Sequence, residues 1–297
     1  MKIPVKRLLV PTPSSDGEQK KPHHIAYTDW GDPHNSHVVI CVHGLTRNCR
    51  DFDYLARALE ADCRVICVDI VGRGQSDWLE QAQDYDNYWL YLSDAASLAT
   101  HIQAQYQEPV TFDWVGISLG GLIGMFIAIQ PNLSFSISKL VMSDIGPLIP
   151  AVALKRIADY VGKDMRFNSF EEFKQYMKMI SISFGPLTEE QWNHMAIHSA
   201  QEYDDGSFGF RYDPKISISF KAHEIKDIDL WKQWDQLAIP SLILRGMESD
   251  ILSVETAAEM KVRGPKAKIV ELSGIGHAPM LMDDEQIKIV RNFILNE

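Results

Sequence analysis

Gly116-Ile117-Ser118-Leu119-Gly120 sits between a mostly apolar run, Val110 to Val115, and an apolar, glycine-punctuated stretch from Leu119 to Ile129. The first run reads as a short buried strand. The second reads as a buried helix that ends at Pro131, which cannot continue it. A serine between two glycines at such a junction must turn the backbone sharply, and Gly116 and Gly120 remove the Cβ atoms that would clash there. The Ser118 hydroxyl is then expected at the carboxyl edge of a sheet, above a helix N-terminus whose N–H groups can hold a developing negative charge. G-x-S-x-G in a strand–turn–helix context is the pattern of a nucleophile elbow.

Upstream, Val38 to Val42 is the first strongly apolar strand and ends at His43-Gly44-Leu45-Thr46. Gly44 lets the chain fold over the sheet edge, so that the N–H groups of Leu45 and Leu119 together make a two-donor oxyanion hole beside Ser118. His43 reads as a structural residue that holds this loop by hydrogen bonds. Arg64 to Val68 is the next strand, and its loop, Asp69 to Ser76, reads as a tight turn braced by an Asp–Arg ion pair. It lacks both phosphate-binding patterns. Residues 7–10 and 24–28 are expected as edge strands, with a polar loop over 11–21, and a long helix is expected from Asn87 to Tyr106.

Downstream, Lys139 to Ser143 is another short strand, followed by Asp144-Ile145-Gly146-Pro147. Alternating strands and helices imply right-handed crossovers, and hence an α/β fold with a mostly parallel, doubly wound sheet flanked by helices. From 148 to 238 the pattern becomes helical with no convincing strand, which predicts a helical cap (lid) inserted over the sheet's carboxyl edge. Residues 1–147 and 239–297 are then the core domain. Strands return at Ser241 to Arg245 and Lys268 to Leu272, each followed by a loop that carries a candidate, Asp250 and His277, before a helix from Asp284 to Leu295. His194 and His198 share a helix face, but the residues between them lack the Glu of H-E-x-x-H, so no metal site is expected.

Composition narrows the class. With 45% apolar and 23% charged residues and a net charge of −11, the chain reads as an ordinary globular protein without affinity for nucleic acid or anionic membranes. No apolar stretch reaches transmembrane length. Met1 to Val10, broken by Lys and Pro, does not read as a signal peptide, which gives the expectation of a soluble cytoplasmic protein without membrane insertion. Cys41, Cys63 and Cys67 lie in or beside apolar runs, and Cys63-x-x-x-Cys67 has no second pair to make a zinc site. The sequence does not fix an oligomeric state; a homodimer is one reading.

Ser118, Asp250 and His277 all fall in loops after strands, at one sheet edge if those strands are parallel. A serine hydroxyl is too weakly acidic to attack at neutral pH, an imidazole can take its proton, and a carboxylate fixes the imidazole tautomer. With His43-Gly44, Asp69-x-x-Gly72-Arg73-Gly74-x-Ser76, the elbow, Arg245-Gly246-x-x-Ser249-Asp250 and Gly276-His277 in this order, the chain resembles the α/β-hydrolase superfamily, in its esterase-like group with a helical cap. That resemblance implies Ser118 as nucleophile, His277 as base, Asp250 as acid, oxyanion N–H groups at Leu45 and Leu119, and no cofactor. Asp144 is the rival acid, because some members of the superfamily place it after that strand. Serine at 118 argues against epoxide opening and dehalogenation, whose enzymes carry Asp there. The expected substrate is a small-molecule carboxylic ester with a small or medium acyl group. Hydrolysis of carbon–carbon bonds, lactones or thioesters, and slow-turnover ligand reception, are the alternatives.

Overall fold

The computed structural model describes residues 3–13 and 20–296, so residues 14–19 of the loop expected over 11–21 lie outside the described residues. Eight strands form one sheet: β1 (Val5–Val10), β2 (His23–Trp30), β3 (His37–Val42), β4 (Arg64–Asp69), β5 (Thr111–Ile117), β6 (Ile137–Ser143), β7 (Ser241–Gly246) and β8 (Lys268–Leu272). Their spatial order is β1-β2-β4-β3-β5-β6-β7-β8. Every pairing from β4 to β8 is parallel, and β2 runs antiparallel to both of its neighbours. All the loops that follow β3 to β8 therefore leave from one edge.

The central strands are continuous apolar runs because both of their faces are covered. In β3, Val38, Ile40 and Val42 pack on one side with Phe112, Trp114, Leu140 and Met142, while Val39 and Cys41 face the other side with Val65, Cys67 and Val115. The helices α1 (Asp53–Leu59), α2 (Tyr88–Gln103) and α3 (Leu119–Ala128) lie between strands of this first half. All four cysteines are buried as free thiols.

Between β6 and β7 the chain adds no strand to the main sheet. It forms α4 (Ala151–Ala158), α5 (Phe170–Ile180) and α6 (Glu189–Ser199). Ser169 caps α5, and Thr188 with Gln191 closes a capping box on α6. The expectation of no strand here is corrected: Ala200–Glu202 pairs with Phe208–Phe210, and Leu148–Ile149 with Ile228–Asp229. Runs of two or three residues are too short for a period of two to show in the sequence. The helices α7 (Val254–Met260) and α8 (Asp284–Leu295) complete the chain, with Val290 and Ile294 of α8 buried. No described helix is long and apolar enough to cross a membrane.

At the start of β3, His37 Nε2 lies 2.7 Å from Asp113 Oδ2 on β5. That hydrogen bond pulls the imidazole up from 6.5 to about 9. A raised value means the folded state holds the proton more tightly, so the stabilisation is complete below about pH 6.5 and is lost as pH rises through about 9. Urea unfolding of the native chain is expected to show stability falling across that window, and His37→Gln should flatten the fall. Parallel pH profiles for the two proteins would contradict it.

Candidate active site

Ser118 follows the last residue of β5 with φ 51° and ψ −115°, a strained conformation that sets its side chain at the sheet edge. The glycines on either side allow it. A Cβ on Gly116 would lie 2.2 Å from the carbonyl carbon of Gly120, and one on Gly120 would lie 1.9 Å from the carbonyl oxygen of Val42. The Ser118 N–H donates to Ser143 O, and Ser118 O accepts from Gly121 and Leu122 at the start of α3.

The Ser118 hydroxyl lies 2.9 Å from His277 Nε2, in the loop after β8. On the other side of the ring, His277 Nδ1 lies 2.9 Å from Asp144 Oδ2. A carboxylate only accepts, so Nδ1 carries the proton and Nε2 presents its lone pair to the serine. Asp144 follows β6 and is 0% exposed. Its Oδ1 takes the N–H of Gly246 at 2.8 Å, and its Oδ2 also takes the Ser249 hydroxyl. The Ser183 hydroxyl donates to His277 O and the Gly276 N–H to Ser183 O, which ties the histidine loop to the segment between α5 and α6.

Asp250, expected as the acid, does not reach His277. Its half-exposed carboxylate meets Arg156 of α4, with Nε–Oδ2 2.5 Å and Nη2–Oδ1 2.8 Å. The correction has a clear cause. The turn after β7 directs Gly246 N–H and Ser249 Oγ inward, where they bind Asp144, and carries Asp250 past the site to the surface. The roles expected of the two loops are thus exchanged: the one after β6 brings the carboxylate, the one after β7 the donors that fix it.

Leu45 and Leu119 flank Ser118 in the wall of one cavity. Leu119 opens α3, so its N–H belongs to the group that has no partner within the helix. The Leu45 N–H belongs to the peptide whose carbonyl is Gly44 O. That carbonyl accepts from the Arg47 N–H and from His43 Nδ1 at 2.6 Å, while His43 Nε2 accepts from Ile70 N–H. Both ring nitrogens of His43 are used, and burial pushes the imidazole down to about 3, so it stays neutral at working pH. His43 therefore holds the loop as expected, and it does so at the one peptide whose orientation aims Leu45.

The loop after β4 differs from its expectation. Asp69 makes no ion pair with Arg73; it accepts from the N–H groups of Cys49 and Gln75. Arg73 reaches the other way, donating from Nε to Leu45 O at 2.8 Å and from Nη1 to Val71 O at 2.7 Å. Residue type and spacing carry no signal for this divergence.

Ser118 opens onto two hollows. The larger, about 470 Å³, has walls that include Leu122, Ile145, Ile149 and Ile157, with Asp86, His223, Glu224 and Lys226 also on its lining. The smaller, about 80 Å³, is lined by Thr46, Arg47, Arg156, Ser181, Ser183 and His277 among others. Among the described residues, Asp53, His194 and His198 bring ligand atoms within 4.8 Å of one another. The Arg50 guanidinium already holds both Asp53 oxygens, and His194 Nε2 meets Arg50 O, so a second cation there would be opposed by the first.

Known proteins of this shape are close. The chain is 40% identical over 279 residues, 91% of its length and 92% of the other's, to a 3-hydroxybutyrate-oligomer hydrolase of Cupriavidus necator. It is 26% identical over 243 residues to an esterase of Mycobacterium tuberculosis, covering 80% of this chain and 76% of that one. The crystal structure of an alpha/beta hydrolase from Novosphingobium aromaticivorans matches the whole of both chains with a TM-score of 0.83 at 32% identity. Residues 39–288 match the alpha/beta hydrolase family, and the chain belongs to that family of hydrolytic enzymes.

Proposed function

We propose that the protein is a serine esterase that cleaves carboxylic esters through an acyl-enzyme on Ser118. The observation that carries this is the unbroken chain from Ser118 Oγ to His277 to buried Asp144. In the first half-reaction His277 Nε2 takes the hydroxyl proton as Ser118 Oγ bonds to the ester carbonyl carbon. Negative charge gathers on the carbonyl oxygen, where the N–H groups of Leu45 and Leu119 receive it. The tetrahedral species then breaks its bond to the leaving oxygen, which takes the proton from His277 and departs as the alcohol. Water repeats the sequence on the acyl-enzyme, giving the acid and restoring Ser118. Asp144 stabilises the imidazolium in both halves. The segment 148–238 serves as the cap that shapes the substrate cavity.

The apolar cavity beside Ser118, about 470 Å³, fits an acyl group of small or medium size. The relative named for 3-hydroxybutyrate oligomers makes short hydroxy-acid oligoesters the first natural substrates to try.

Removing the acid should cost on the order of 10⁴ in kcat, because the imidazole loses both its tautomer and its charge partner. Asp144→Asn is therefore expected to lose nearly all hydrolysis of 4-nitrophenyl butyrate and Asp250→Asn to keep most of it, with circular dichroism showing both folded. Large loss in Asp250→Asn with Asp144→Asn active would reverse the assignment.

An organophosphonate should label the native protein at Ser118, and Ser118→Ala should take no label. Labelling that persists in that variant would place the nucleophile elsewhere. His43, neutral down to about pH 3, cannot account for any loss of kcat/KM between pH 5 and 8, so such a loss reports proton uptake elsewhere.

A further inference from the structure

Arg73 is 0% exposed and has no carboxylate within ion-pair distance among the described residues. Two of its nitrogens donate to the carbonyls of Leu45 and Val71, and the rings of Tyr85 and Tyr91 stand 5.9 and 5.5 Å from its guanidinium carbon. Its third nitrogen, Nη2, is buried with no hydrogen-bond partner. The hydroxyl of Tyr88 is buried and unpartnered as well. Both residues line the large cavity beside Ser118, whose walls are otherwise mostly aliphatic and aromatic.

Two orphan donors in one cavity wall are a costly arrangement. A buried donor left unpaired costs about 1–3 kcal/mol, and more when it is charged. An acyl chain made only of hydrocarbon would fill the cavity and leave both buried donors unpaired. A chain with its own acceptor oxygen would satisfy them. Sites built to hydrogen-bond a substrate oxygen discriminate sharply against analogues that lack it.

On the esterase reading above, we infer that Arg73 and Tyr88 are specificity-determining residues that receive an acceptor oxygen of the substrate's acyl portion. The substrate class is then an oxygen-bearing acyl ester, in which a second ester carbonyl or a carboxylate lies along the chain from the bond that Ser118 attacks. Arg73 combines this with its hold on Leu45 O, so the residue that reads the acyl chain also braces the loop of the oxyanion donor.

The test compares kcat/KM for three 4-nitrophenyl esters of similar length: hexanoate, 3-acetoxybutanoate and the monoester of glutarate. The native enzyme is expected to prefer an oxygenated ester over hexanoate on the order of tenfold, the ratio that one good hydrogen bond supplies. Preference for acetoxybutanoate identifies an ester carbonyl as the ligand, and preference for the glutarate monoester a carboxylate. Tyr88→Phe, which removes only the hydroxyl, and Arg73→Gln should both lower that ratio towards one. Arg73→Gln should also slow all three esters, so the ratio and not the rate is the readout. Hexanoate turned over as well as both oxygenated esters, or a ratio unchanged in both variants, would overturn the inference and leave the esterase reading standing. No turnover of any of the three would overturn that reading, and the inference with it.

Discussion

Everything at the sheet edge depends on how closely the first turn of α3 approaches the end of β3. Gly120 packs against the carbonyl of Val42, where even a methyl group would lie at 1.9 Å. That contact sets Ser118 in its strained turn and brings it alongside His43-Gly44-Leu45, the residues that follow β3. Ser118 and the Leu45 and Leu119 peptides proposed to serve it are thus placed by one backbone contact. The strain at Ser118 persists because hydrogen bonds surround it, from its own N–H to Ser143 and from Gly121 and Leu122 to its carbonyl.

A second constraint is burial. Asp144 is out of solvent, so its charge must be met by donors, and the structure supplies the Gly246 N–H, the Ser249 hydroxyl and His277 Nδ1. The same turn that provides two of these donors sends Asp250 outward to Arg156 on α4. This surface pair is worth little to stability, yet it spans from the core to the segment between β6 and β7. Ser183 makes a second tie from that segment, to the backbone of the histidine loop. The segment between β6 and β7 is therefore fastened to the loops that carry Asp250 and His277.

The sheet was legible in the sequence because its central strands are mostly apolar runs buried on both faces. Ser118 and His277 were legible because a glycine-flanked serine and a late Gly-His each follow a strand. The partner of His277 was not. Asp144 and Asp250 both follow parallel strands of one sheet, one and four residues past the strand ends at Ser143 and Gly246, and residue type cannot say which way a turn points its carboxylate. The inward aim of the Gly246 N–H and the Ser249 hydroxyl, both on Asp144, goes with the choice. Nor could the sequence show the unpartnered Arg73 Nη2, since the nearby Asp69 offers an obvious ion pair that the fold spends on the backbone of Cys49 and Gln75.

The central claim is that one covalent intermediate on Ser118 stands between ester and acid. Partitioning of the acyl group between water and added methanol tests it without requiring that intermediate to accumulate. With 4-nitrophenyl, phenyl and ethyl esters of a single acid, a common acyl-enzyme must give one ratio of acid to methyl ester whatever alcohol has left. The account predicts that single ratio. A ratio that changes with the leaving alcohol would show that water attacks the bound ester directly, and would contradict it.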